Sequence, residues 1–279
     1  MKVSILASGS AANALVVEAG DTRLLVDCGL GPRALAARLR ALGIAPESIT
    51  GVAITHEHSD HIHGLAVCCR KWRWPMFTSG GTHAALAELG VTSVHEADAR
   101  RVVLSSGCAV SLGDIELTGV QILHDAAEPM AFVVACRATG ARLAVATDIG
   151  AMTPAVLATF ERVDALVLES NHCTELLATG PYPVFLKRRI LARTGHLSNA
   201  ECAQTLSTLA HRGLSHVVLA HLSEVNNAPQ VARAAAGDAL RKAGWRGRLA
   251  IAGAGGLASG FEVGASGAVF AQPVQLSLM

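Results

Sequence analysis

The sequence predicts an α/β protein, a four-layer αββα sandwich with two sheets face to face and helices on both outer surfaces. Three observations lead there. Short apolar, strand-like runs fill the first third of the chain and recur as a second block in the middle. Each block passes into a stretch where strands alternate with helical patterns, so the order is β-block, mixed, β-block, mixed. Of the 279 residues, 51% are hydrophobic and the mean hydropathy is +0.40, enough to bury a large core.

In chain order, strands are expected at 3–7, 13–18 and 22–27, separated by Ser-Gly-Ser and Gly-Asp turn signals. A helix over 32–42 opens on Pro32, a favoured first-turn residue. A brief buried strand at 51–54 leads into a His-rich turn and a helix over 60–70, and a strand around Phe77 precedes a helix over 83–89. The middle block gives strands at 101–104, 115–123, 131–137 and 142–146. The last third alternates strands at 165–168, 216–220 and 248–252 with helices over 183–193, 200–212 and 230–243. Residues 253–268 read as a Gly/Ala-rich loop with a weak terminal strand. No linker interrupts this series and no repeat recurs at a period of 20–50 residues, so residues 1–279 are expected to form one domain.

Charged residues make up 16% of the chain, which excludes a disordered or fibrous protein. A net charge of +1 excludes a strongly basic DNA-coating protein but not a local basic patch. Residues 1–7 lack a cleavage site, and no stretch of about 20 residues is apolar throughout, so neither a signal peptide nor a membrane span is expected. Seven cysteines, an odd number with no Cys-x-x-Cys pair, do not form a disulfide framework and point to the reducing cytoplasm.

Histidine placement carries the chemistry. Thr55-His56-Glu57-His58-Ser59-Asp60-His61 packs three imidazoles and a further carboxylate at Asp60 into one turn after an apolar strand. Imidazole nitrogen and carboxylate oxygen are natural ligands of zinc and similar divalent ions. His56 and His58, two apart in an extended turn, can point the same way. Asp60 and His61 open the next helix, where the chain can present two more ligands. A strand-turn-helix junction is a usual place for a site in α/β proteins, whereas a solvated polar turn needs no such context.

The run His56-Glu57-His58-Ser59-Asp60-His61 resembles the His-x-His-x-Asp-His signature of the metallo-β-lactamase superfamily at every fixed position. Asp27-Cys28-Gly29 is similar to the strand-end Asp-x-Gly preceding that signature. His124, Asp148 and His221 match the later ligands in order, each at the end of an apolar run. The resemblance implies the metallo-β-lactamase fold and two divalent ions, zinc or manganese. One would rest on His56, His58 and His124, the other on Asp60, His61 and His221, with Asp148 bridging. It also counts Asp60 within the catalytic machinery. Asp27 is either a support for these ligands or a plain turn aspartate. His63 is not counted as a ligand. Such a metal pair supplies a hydroxide at neutral pH and stabilises both attacking and leaving oxygens, which suits phosphodiester cleavage.

Within the superfamily, several stretches resemble the YycJ/WalJ-type DNA exonucleases. They are Ser8-Gly9-Ser10 with Asn13, the segments 124–129 and 168–172, the runs 180–190 and 195–199, and Ala220-His221-Leu222-Ser223-Glu224 with Asn226-Asn227. Ala11-Ala12 departs from the Ser-Gly of that pattern. Glu169 and His196 are similar in motif to a Glu/His pair of the tRNA-processing RNase Z enzymes. That likeness implies His196 as proton donor to the leaving oxygen and Glu169 as its orienter. A strand-end carboxylate and a helix-capping loop are the structural alternatives.

Substrate contacts are expected from Lys187, Arg188, Arg189 and Arg193, from Ser8, Ser10 and Asn13 as phosphate donors, and from His172 lining the site. Lys71-Trp72-Arg73-Trp74 interleaves cations with rings as a base-stacking surface does. Solvated basic faces, a β-turn and core-edge tryptophans are the plainer readings of the same residues. Only 72 residues separate Asp148 from His221, too few for a large inserted domain, so an open site facing a DNA duplex end is expected. The overall expectation is a cytoplasmic phosphodiesterase, a 5′-to-3′ DNA exonuclease, with the polarity implied by the resemblance alone. The rivals are a phosphodiesterase of cyclic or oligonucleotides and a metal-bound regulatory protein without turnover.

Overall fold

A run that is apolar at consecutive positions needs cover on both faces, and the central strands of this chain have it. The computed structural model describes residues 1–91, 101–257 and 259–264. In it β1 (Lys2–Ala7), β2 (Ala14–Ala19) and β3 (Thr22–Val26) form an antiparallel meander. β4 (Gly51–Ala53), β5 (Met76–Thr78) and β6 (Arg101–Val103) extend it in parallel. The second sheet repeats that order. β7 (Ala109–Leu112), β8 (Ile115–Gln121), β9 (Met130–Cys136) and β10 (Arg142–Ala146) are antiparallel. β11 (Ala165–Glu169), β12 (His216–Ala220) and β13 (Arg248–Ile251) then follow in parallel. β14 (Phe261–Glu262) returns to pair antiparallel with β1.

The period-2 alternation of each strand divides its side chains between two seams. Val3, Ile5, Leu15, Val17, Leu24 and Val26 of the first sheet meet Leu143, Val145, Val167, Val218 and Ala220 of the second in one central core. The opposite faces are covered by helices. α1 (Pro32–Ala41), the four-residue α2 (Ser59–Ile62), α3 (Leu65–Trp72) and α4 (Gly80–Glu88) pack Leu35, Leu39, Ile62, Leu65 and Leu86 against the first sheet. α5 (Pro154–Phe160), α8 (Asn199–Leu209) and α9 (Pro229–Lys242) pack Phe160, Leu206 and Leu240 against the second. The result is the four-layer α/β sandwich. Two shorter helices, α6 (Thr174–Thr179) and α7 (Val184–Ile190), lie between β11 and α8 in sequence.

Several expected elements differ. The helix over 60–70 is two helices, because Gly64 N–H turns to donate to Cys28 O at 2.9 Å and a Cβ there would sit 2.1 Å from Leu30 O. The helix over 183–193 stops at Ile190, since the chain must fold back to bring His196 N–H to Ile190 O at 3.0 Å. Arg193 therefore lies in the turn beyond it. β7, α5 and α6 are additional elements. Of the loop at 253–268, residues 258 and 265–268 lie outside the described residues.

The Trp72–Trp74 segment is not a base-stacking surface. Trp74 is buried with its indole N–H on Pro46 O, and Trp72 stacks on it at 4.9 Å. Together they precede β5, at the end of the strand opposite the site described next.

Candidate metal centre

Six strands deliver their following residues to one edge of the sandwich, the usual location of a site in open parallel sheets. Asp27 follows β3, the turn 55–61 follows β4, His124 follows β8, Asp148 follows β10, Glu169 ends β11 and His221 follows β12. Asp27, Asp148 and His221 each take a left-handed backbone, with φ of 59°, 55° and 54°. For residues with a Cβ this conformation costs free energy and marks functional sites. Gly29 lets the chains close up: Asn13 N–H reaches Asp60 O at 2.8 Å, and a Cβ on Gly29 would lie 1.7 Å from that oxygen.

These residues converge in two adjoining groups. His56, His58 and His124 form one, and Asp60, His61, Asp148 and His221 the other, with the candidate ligand atoms of each group within 4.8 Å of one another. His124 Nε2 lies 3.3 Å from His58 Nδ1. Asp148 stands between the groups, with Oδ2 2.8 Å from His61 Nε2 and Oδ1 4.0 Å from His124 Nε2. Asp60 Oδ2 lies 3.4 Å from His61 Nε2 and 3.5 Å from His221 Nε2.

The far nitrogens of four rings are held by the protein. His56 Nδ1 meets Thr55 Oγ1 at 3.0 Å, and His61 Nδ1 meets Asp27 Oδ2 at 2.8 Å. His124 Nδ1 meets Gly195 O at 3.1 Å, and His221 Nδ1 meets Glu169 Oε1 at 2.8 Å. Such contacts fix ring orientation and tautomer in metal-binding histidines. His56 Nε2 is buried without a hydrogen-bond partner among the described residues, and the buried His221 Nε2 and Asp148 Oδ2 face only other members of the cluster. Buried polar atoms are rarely left so, and nitrogen and carboxylate donors turned on one space fit a divalent cation.

Electrostatics divide the groups. Burial, then the neighbouring His61, holds His56 well below the ordinary histidine range, and burial lowers His124 too, so both rings are neutral donors. On the other side burial opposes charge but loses. The Asp148 carboxylate and the hydrogen bonds to Asp60 and Glu169 raise His221 to about 10. Asp27 and Asp148 raise His61 in the same way. The hydrogen bonds to His221 and His61 hold Asp60 well below the carboxylate range, and the charges of His221 and His61 do the same for Asp148. Protons on imidazoles thus balance the carboxylates, and a bound cation would displace them.

Glu169 is buried and fully engaged. It accepts from the N–H groups of Asp148, Ile149 and Leu197 at 3.2, 3.1 and 3.0 Å, and meets His196 Nδ1 at 3.0 Å. Against its burial, the charge of His196 and the hydrogen bonds of both histidines hold its carboxyl at about 2. In return, the charge and hydrogen bond of Glu169 lift His196 above its ordinary value despite burial.

The expected substrate residues divide. Ser8 is buried, and its hydroxyl accepts from His221 N–H at 2.8 Å. Asn13 is buried and gives its amide N–H to Asp60 Oδ2 at 3.1 Å, with His61 Nε2 3.0 Å away. Both face the ligands rather than solvent, because the turn they form closes over Asp60. Ser10 is exposed on that turn. His172 is buried, and neither of its ring nitrogens has a hydrogen-bond partner among the described residues. Lys187 donates to Ala178 O at 2.7 Å, Arg189 pairs with Asp125 Oδ2 at 2.5 Å, and Arg188 and Arg193 are exposed.

Two residues carry more than the sequence assigned them. Thr55 Oγ1 meets both Asp27 oxygens at 3.0 Å and lies 3.2 Å from His61 Nδ1. Asp125 places Oδ1 3.3 Å from His124 Nε2 and its carbonyl 3.2 Å from His58 Nε2. Direct adjacency to the signature and to His124 was the available signal.

A family described as "Beta-lactamase superfamily domain" matches residues 22–222. The chain is 36% identical over 242 residues to the exodeoxyribonuclease YycJ of Bacillus anthracis, covering 87% of this chain and 90% of that protein. It is 32% identical over 231 residues to the exodeoxyribonuclease WalJ of Streptococcus pneumoniae serotype 2, covering 83% and 85%. The crystal structure of the metallo-β-lactamase fold protein YhfI from Bacillus subtilis superposes with a TM-score of 0.69 at 17% identity, covering 94% of this chain and 99% of that one.

Proposed function

The chain belongs to the metallo-β-lactamase superfamily, and from that membership we propose that it is a dinuclear metal-dependent phosphodiesterase, a 5′-to-3′ DNA exonuclease. The orientation of the imidazoles carries the reading: four rings are tied to protein groups at their far nitrogens while their near nitrogens share one space with Asp60 and Asp148. His56, His58 and His124 would hold one divalent cation, and Asp60, His61 and His221 a second, with Asp148 between them. Zinc and manganese both suit this donor set. Bound there, the cations would supply an activated water and neutralise charge growing on the phosphoryl oxygens.

The chain's own groups supply the rest. Asp27, Thr55 and Glu169 hold the imidazoles in place. Glu169 takes Nδ1 of His196, so Nε2 is the atom that gives its proton to the leaving oxygen. Arg188 and Arg193, with Lys187, Arg189 and Ser10, bring the phosphate backbone to the site. The curated relatives named exodeoxyribonuclease support DNA as the substrate. No helix among the described residues is long and apolar enough to cross a membrane. Seven free thiols support a cytoplasmic setting, and a core shared by both sheets supports reading 1–279 as one hydrolase domain.

End-labelled DNA duplexes tested beside a panel of cyclic dinucleotides decide the substrate. Release of nucleotides from the 5′ ends of duplexes, abolished by Asp148→Ala with the fold retained, is expected. Cleavage of the cyclic compounds alone would replace the exonuclease reading with the small-diester one, and no turnover of either would leave a metal-bound regulatory protein.

A further inference from the structure

Helix α7 presents an unusual surface beside the metal centre. Phe185 is 74% exposed, and its neighbour Val184 and, at the end of the helix, Leu191 are 64% and 58% exposed. Phe185, Arg188 and Arg189 stand at i, i+3 and i+4, which places them on one face of the helix. The far end of that face is tied to the site. Arg189 pairs with Asp125 at 2.5 Å, and Asp125 Oδ1 lies 3.3 Å from His124 Nε2. The turn after the helix reaches the site as well. A Cβ on Gly150 would lie 2.3 Å from Arg193 O, and Gly195 O meets His124 Nδ1 at 3.1 Å. Among the described residues, neither Arg188 nor Arg193 has an ion-pair partner.

An exposed aromatic ring costs free energy in water unless a partner covers it. Here the neighbouring charges select the partner: a polyanion satisfies Arg188 and Arg193, and a nucleic acid strand also carries flat apolar faces. Three residues of helix rise, about 4.5 Å, separate Phe185 from Arg188, close enough for one nucleotide to reach both. We propose that Phe185 is a nucleobase-stacking platform, holding an unpaired base of the DNA strand end while Arg188 and Arg193 hold the adjoining phosphates. This rests on the nuclease reading and names how that site grips its substrate.

The test is a cycle between the ring and the base. Fluorescence anisotropy would measure binding of a single-stranded oligonucleotide with hydrolysis-resistant phosphorothioate linkages, intact or carrying one abasic position near its 5′ end. Phe185→Ala should weaken binding of the intact strand by about tenfold or more, and Phe185→Trp should restore it. Scanning the abasic position should find one that weakens binding to the wild type similarly and adds nothing to Phe185→Ala. Unchanged affinity in Phe185→Ala, or penalties that multiply at every position, would overturn the proposal. So would a wild-type dimer, seen by sedimentation, that Phe185→Ala dissociates without changing DNA affinity. Degradation of labelled duplex by the wild type, run in parallel, separates the two claims. If the duplex is degraded and the cycle fails, only the stacking role falls, whereas a wild type that neither binds nor degrades DNA removes the nuclease reading with it.

Discussion

Thr55 is a hub that a linear signature does not reveal. One hydroxyl meets both oxygens of Asp27 and lies beside the far nitrogens of His56 and His61. The candidate ligands were legible in the sequence because metal chemistry favours imidazole and carboxylate at strand ends, and the structure brings those residues together. The residues that orient those ligands were less so, because a threonine after an apolar strand or a serine in a turn carries no such preference. Thus Ser8 and Asn13 read as phosphate donors, yet they hold His221 and Asp60. Thr55→Val keeps the shape and removes the hydroxyl. It is expected to weaken metal binding by about 10–100-fold with the fold intact, measured by competition with a chelator, and unchanged affinity would refute the role. His196→Gln should retain full metal content while turnover falls by about 10²–10⁴-fold. Loss of bound metal would instead make His196 a ligand.

At the scale of elements, the strands were legible where both faces are apolar. Between the first and last residues of β10, β11 and β12 the side chains alternate between the central core and the helix-covered seam, so each of those interior positions is hydrophobic. β7 was not, because its side chains alternate between exposed and half-buried and its composition resembles a loop. The division between α2 and α3 and the early end of α7 were hidden for another reason. Close backbone approaches set them, at Gly64 and Gly195, and helical periodicity does not record such approaches. Gly29 gives the sharpest case, since the turn after β3 touches the turn that carries Asp60 there. Gly29→Ala forces a Cβ onto Asp60 O. It should cost at least about 1–3 kcal/mol in denaturant melts and displace Asp60 enough to lower metal affinity. A variant with wild-type stability and affinity would show that the two turns are free to separate.

Over the whole molecule, the two halves use the same strand order, an antiparallel meander followed by parallel strands, and each brings the carboxyl ends of its strands to the shared edge. The first half supplies His56, His58, Asp60 and His61, and the second His124, Asp148 and His221, so neither half holds a complete set. Ion binding should therefore follow from folding of the entire sandwich. The most direct test strips the protein with a chelator and returns zinc or manganese in steps while following nucleotide release from 5′-labelled DNA. Activity should be absent in the stripped protein and rise to a plateau at two equivalents of ion. Hydrolysis that persists without metal, or a protein that takes up the ions and degrades no DNA, would contradict the account.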